Sequence, residues 1–195
     1  MGRTREFDMD QALDAAISTF WTHGYEATSM ADLMEATGLH KGSLYKAFAD
    51  KHDIFMKSLG RYLDGAYAHM QVALSDTNSP LAGLRAWLSA VVLLCRDQPV
   101  QRGCLALNAA VELGPHDGDV TAMLRNHHGR TSKLLIETIV SGQRSGEIRT
   151  DLSSDQLAQT LFIFSAGLLG ASKVLSGTVD PEEMVDSALA MIRCC

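Results

Sequence analysis

Residues 28–48 read TSMADLMEATGLHKGSLYKAF, and this stretch decides the fold. Ser29, with Asp32 three residues on, is a loose form of the capping box, so a helix opens there. The helix stops at Thr37-Gly38, where glycine suits a helix end. Lys41 to Ala47 predicts a second, very short helix, joined to the first by Gly38-Leu39-His40. Two short helices around a glycine turn form the helix-turn-helix arrangement, in which the second helix enters the major groove of DNA. The turn alone is a weak signal, because many helical bundles contain one. The second helix sharpens it. His40, Lys41, Ser43, Tyr45 and Lys46 all carry hydrogen-bonding groups, while Leu44 and Phe48, at i and i+4, form a narrow apolar anchor. Such a surface suits contact with phosphates and base edges.

Helical periodicity extends in both directions. Upstream, Met9, Ala12, Leu13, Ala16, Ile17 and Phe20 form one apolar stripe, with Asp8 as a cap and Gly24 as a stop. Downstream, a helix begins near Asp50 and runs to about Ser75. Asp76 to Pro80 is the clearest polar break and the expected domain transition. Further helices are expected over Leu81–Arg96, Gly103–Leu113, Gly118–Ser141, Ser154–Ser176 and Pro181–Ile192, with breaks at Pro99, Gly114-Pro115, Ser145-Gly146 and 177–181. No run alternates with the period of a strand. The expected fold is all-α, an N-terminal three-helix unit followed by a helical bundle.

Composition closes several doors. The 195 residues are 46% hydrophobic and 21% charged, an ordinary globular balance that excludes global disorder. The net charge of −6 excludes a protein that coats nucleic acid by bulk charge, so a local patch must do the binding. Residues 1–57 carry six basic and nine acidic side chains, yet 40–49 contain Lys41 and Lys46 with a single acid-free run, and Arg3 and Arg5 form a basic N-terminal arm suited to a minor groove or phosphates. Four cysteines (Cys95, Cys104, Cys194, Cys195) are too few for a disulfide scaffold, and 1–10 lacks an apolar secretory run, so a cytoplasmic setting is expected. The most apolar stretch, Thr160 to Ser172, is shorter than the about 20 residues of a membrane span and reads as a buried helix.

Thr28-Ser29, Leu33, Gly38-Leu39, Lys41-Gly42-Ser43-Leu44-Tyr45, Phe48 and Lys51 resemble the TetR family of bacterial transcriptional regulators, over Met9 to Phe55. The resemblance implies a DNA-binding domain over residues 1–50 and an effector-binding and dimerisation domain over 51–195. It implies a repressor that, as a homodimer, holds a palindromic double-stranded operator until a small-molecule effector releases it. It places Thr28, Ser29, His40, Lys41, Gly42, Ser43, Tyr45, Lys46 and Lys51 at the DNA. Tyr45 is the contact to phosphate or a thymine methyl, Lys51 a phosphate contact, and Lys41 and Ser43 lie at or near base edges. Three positions depart from the family pattern. His40 replaces the usual capping Ser, Ala47 replaces a His or Tyr, and His52 stands where an acid is common.

For the effector, Cys104, Asn108 and Glu112 recur every four residues and would share a helix face, a pattern that resembles one subset of TetR-like C-terminal domains. With Phe162 they are the candidate ligand-binding residues, since apolar walls with few polar groups make a pocket. The opposing reading has Asn108 and Glu112 tying down neighbouring backbone. Cys104 has two readings as well. Arg102 and a helix start beside it suit a reactive thiol, and a small buried hydrophobe is the alternative. His116-Asp117 resembles the dipeptide of metal phosphohydrolases but lies in a predicted loop, and no His-x-x-x-His or Cys-x-x-Cys spacing occurs. No metal, no cofactor, no catalytic residues and no membrane partner are therefore expected. The rival class is an all-helical metal-dependent or redox-active protein whose helix-turn-helix serves only packing.

Overall fold

Local signals set most helix ends in the computed structural model, which describes residues 8–75, 77–96, 102–175 and 177–194. The chain runs α1 (Met9–His23), α2 (Met30–Thr37), α3 (Lys41–Ala47), α4 (Lys51–Ser75), α5 (Pro80–Arg96), α6 (Leu105–Glu112), α7 (Gly118–Ser145), α8 (Ser154–Leu175) and α9 (Pro181–Ile192). Asp8 caps α1 by accepting from the amides of Asp10 and Gln11, and Asp180 caps α9 from Glu182 with Pro181 at its start. No strand occurs among the described residues. An isolated bridge between Ile148 and Arg193 ties the segment after α7 to the end of α9. The expected break at Pro99, the arm residues Arg3 and Arg5, and Cys195 lie outside the described residues.

Two apolar cores form. The first gathers Phe20, Leu33, Leu44, Phe48, Ile54, Phe55 and Leu59 from α1 to α4 with Leu105, Ala109 and Leu113 from the α6 segment and Val120 from α7. The second gathers Leu84, Trp87 and Leu88 of α5, Leu135 and Ile139 of α7, Leu157 and Leu161 of α8, and Val185 and Leu189 of α9. The long α4 belongs to both, with Leu59 and Leu63 in the first and Met70 in the second. Packing therefore does not break at residue 50 or at the polar linker. The first core continues into α6.

Two boundaries differ from expectation. α6 starts at Leu105 rather than Gly103, because Gly103 has a φ of 67° and Cys104 is extended. α7 runs past Ser141 to Ser145, and the Gly146 N–H closes it onto the Gln143 and Gly142 carbonyls. The apolar stretch Thr160–Ser172 also needs correction. It sits inside the 22-residue α8, which is long and apolar enough to cross a membrane by length and composition. Leu157, Ala158, Leu161 and Ser165 face the core, but Ile163 stays 67% exposed, so one chain buries only one side of it.

Candidate nucleic-acid interface

The recognition helix is built from its caps and its anchor. Ser29 Oγ accepts from the Asp32 amide at 3.2 Å, and Asp32 Oδ2 accepts from the Ser29 amide at 2.8 Å, so the capping box is complete. The Ser29 amide and hydroxyl, both donating to Asp32 Oδ2, hold that carboxyl below its ordinary value. Gly38 ends α2 in the left-handed region, φ 67° and ψ 13°, which glycine adopts without steric penalty. The turn then delivers α3, whose Leu44 and adjoining Phe48 are buried in the first core. The opposite face points outward. His40, Lys41, Gly42, Tyr45 and Lys46 are exposed, Tyr45 by 46%, and Ser43 is half-buried. As the departure at His40 suggests, the N-cap of α3 makes no side-chain hydrogen bond.

The remaining expected DNA contacts sit less openly. Thr28 is 1% exposed and its Oγ1 donates to the Gly24 carbonyl at 2.6 Å, so its side chain serves the α1–α2 turn rather than the surface. Ser29 beside it is exposed. Lys51 Nζ donates to the Tyr25 carbonyl at 3.0 Å and lies 4.2 Å from the Tyr25 ring centroid. An ammonium has three donors, so others remain for a phosphate.

Cys104, Asn108 and Glu112, expected on one helix face, do not act as one, and Phe162 lies on another helix. Cys104 precedes the helix as its N-cap, and its Sγ accepts from Tyr62 Oη at 3.5 Å. Burial, helped by that thiol, pushes the Tyr62 phenol far above its ordinary value. Asn108 Nδ2 donates to the Arg102 carbonyl at 3.0 Å, and its Oδ1 accepts from Lys173 Nζ of α8 at 2.6 Å. Glu112 accepts the amides of Tyr25 and Glu26 at 3.0 and 2.8 Å. Phe162, on α8, is half-buried and packs edge-on to His128 with ring centroids 4.5 Å apart. The helix-face argument fails at Cys104 because that residue is extended, and the polar atoms of Asn108 and Glu112 are already committed. Two cavities, of about 560 and 350 Å³, open around the first turns of α5, and none of the four lines either.

Residues that spacing could not reveal complete the joint between α6 and the head, the unit formed by α1 to α3 and the start of α4. Trp21 Nε1 donates to the Gly103 carbonyl at 3.1 Å, and the Arg102 guanidinium lies 4.6 Å from the Trp21 ring centroid. His52 Nε2 sits 2.8 Å from Asp117 Oδ2, whose other oxygen accepts the amides of Asp119 and Val120 and caps α7. The Val120 amide and His52 hold the Asp117 carboxyl below its ordinary value. His52, Asp117 and Asp119 bring three donor atoms within 4.8 Å, but Asp117 is thereby a helix cap paired across elements, not half of a His-Asp dipeptide site.

Residues 12–56 match the family model of bacterial regulatory proteins, tetR family, and residues 80–191 match the tetracyclin repressor-like C-terminal domain. The chain belongs to the TetR family. It is 34% identical to the HTH-type transcriptional repressor ComR of Escherichia coli K12, over 86% of this chain and 80% of that protein. It is 28% identical to the transcriptional regulator YezE of Bacillus subtilis 168, over 98% of this chain and all of that one. Among solved structures, a cysteine mutant of the TetR-family regulator CifR in complex with 26-bp operator DNA superposes with a TM-score of 0.83 at 30% identity, covering 98% of this chain and 100% of that one. This TetR-family chain is accordingly a DNA-binding transcriptional regulator, with α2 and α3 as its helix-turn-helix.

Proposed function

We propose that the chain is a cytoplasmic repressor that binds a palindromic operator as a homodimer and leaves it when a small effector enters the C-terminal bundle. The exposed, donor-rich face of α3 carries this reading, because Lys41, Tyr45 and Lys46 stand outward while Leu44 and Phe48 fix the helix to the core. The relative ComR, named as a repressor, and the CifR complex with operator DNA support it. Residues 1–50, with Lys51 at the start of α4, supply the DNA contacts and 51–195 the effector site and dimer, with α6 packed against both parts. Nothing in the proposed cycle requires a catalytic step. The effector need only prefer one of two orientations of the head.

The test is a duplex enriched by the wild-type protein from a random pool. Tyr45→Ala should weaken binding to it by about 1–3 kcal/mol, the scale of a lost specific contact, and leave the melting temperature unchanged. Lost affinity with an intact fold supports the assignment of α3. Unchanged affinity removes Tyr45 from the interface and defeats the reading at its strongest residue.

A further inference from the structure

Glu112 ends α6, yet both of its carboxylate oxygens bind a turn that lies 86 and 87 residues earlier in the chain. Oε2 accepts from the Tyr25 amide at 3.0 Å and Oε1 from the Glu26 amide at 2.8 Å. Two successive amides aimed at one anion form a nest, and hydrogen bonds to an ionised acceptor are the strong kind. Gly24 keeps the nest open. Its φ is 83°, and a Cβ there would lie 3.1 and 3.2 Å from the two carboxylate oxygens.

The gripped turn is where the DNA-binding unit is held together. The Tyr25 carbonyl accepts both the Thr28 amide, at 3.2 Å, and Lys51 Nζ, at 3.0 Å. The Tyr25 ring packs on Phe20 and Phe55 of the first core. The turn leads directly into the Ser29 cap of α2, and so into the turn that presents α3. At its other side, α6 is bonded through Asn108 to Lys173 of α8. Glu112 is therefore the polar link from α6 to the α1–α2 turn, beside that of Lys51 from α4.

We propose that Glu112 is a positioning residue that holds the α1–α2 turn, and with it the recognition helix, in the DNA-binding orientation. This rests on the DNA-binding reading above and adds to it a residue that sets the orientation of the recognition helix.

Glu112→Ala, Glu112→Gln and Asn108→Leu in the full chain test the link without a known effector. Hydrogen exchange at Tyr25 and Glu26 should quicken by about tenfold or more in Glu112→Ala and by less in Glu112→Gln, which keeps one acceptor oxygen. Affinity for the duplex enriched by the wild type should fall by about tenfold or more in Glu112→Ala, while affinity for an unselected duplex of equal length stays within about twofold, because the basic face of α3 is intact. Asn108→Leu, which loosens α6 from α8, should also quicken exchange at the turn, but add nothing to Glu112→Ala. Wild-type exchange in Glu112→Ala overturns the proposal. Equal losses on both duplexes with a large fall in melting temperature overturn it too, since Glu112 is then only a structural tie. If the wild type enriches no duplex, the DNA-binding reading fails and the positioning role with it, while the exchange rates still report whether the carboxylate grips the turn.

Discussion

Asn108 shows how a residue's surroundings decide its role. Its amide donates to the Arg102 carbonyl and accepts from Lys173, so it ties the entry of α6 to α8. Asn108→Leu removes the bond to the Arg102 carbonyl, a net loss of about 0.5–1.5 kcal/mol. The exposed Lys173 turns to water at little cost. The expected melting temperature falls by about 2–4 °C per kcal/mol for a chain of this size. Unchanged melting would return Asn108 to the pocket. The opposing reading of Asn108 and Glu112 as backbone ties was already legible in the sequence; the partners they bond were not. The partners of Glu112 lie 86 and 87 residues away and that of His52 lies 65 away, beyond any local spacing. The face of α3 was legible because its anchor and its donors fall within one short helix.

Among the elements, α3 is the weakest by itself. Seven residues are too few to stay helical in water, so burial of Leu44 and Phe48 must hold it. Its first bonds run from the Ser43 and Leu44 amides to the His40 carbonyl, and the His40 side chain adds none. His40→Ser should supply the missing cap and stabilise the protein by about 0.5–1 kcal/mol, seen as a small rise in the thermal midpoint. No rise would mean that α3 is fixed by its anchor alone. Caps also explain which helix ends could be read in advance. Asp8, Ser29, Gly38 and Pro181 act on their own helices, and those ends agree with expectation. The start of α6 was misplaced because Gly103 is bent against Leu169 and Lys173 of α8, a contact invisible to local pattern.

At the scale of the molecule, one chain leaves an apolar surface uncovered. Ile163 and Val174 of α8 are 67% and 79% exposed, and Met184 and Met191 of α9 are 39% and 65% exposed. The same two helices turn Leu161, Val185 and Leu189 into the second core, so only their outer strip lacks a partner. A two-fold axis would place that strip against its own copy, forming a four-helix contact without any new sequence. Fully burying a large aliphatic side chain contributes about 1.5–3 kcal/mol, so a few such residues on each copy can hold a dimer of the usual interface size. Light scattering at micromolar concentration should give about twice the 21.1 kDa chain mass. Ile163→Glu would set two carboxylates into the contact and should raise the dimer dissociation constant by about a hundredfold or more. Helix content should hold, because Ile163 lies outside the core of its own chain. A variant that remains dimeric would move the interface off α8. A wild-type monomer would remove the two-fold axis, and a single recognition helix would then read one half-site instead of a palindrome.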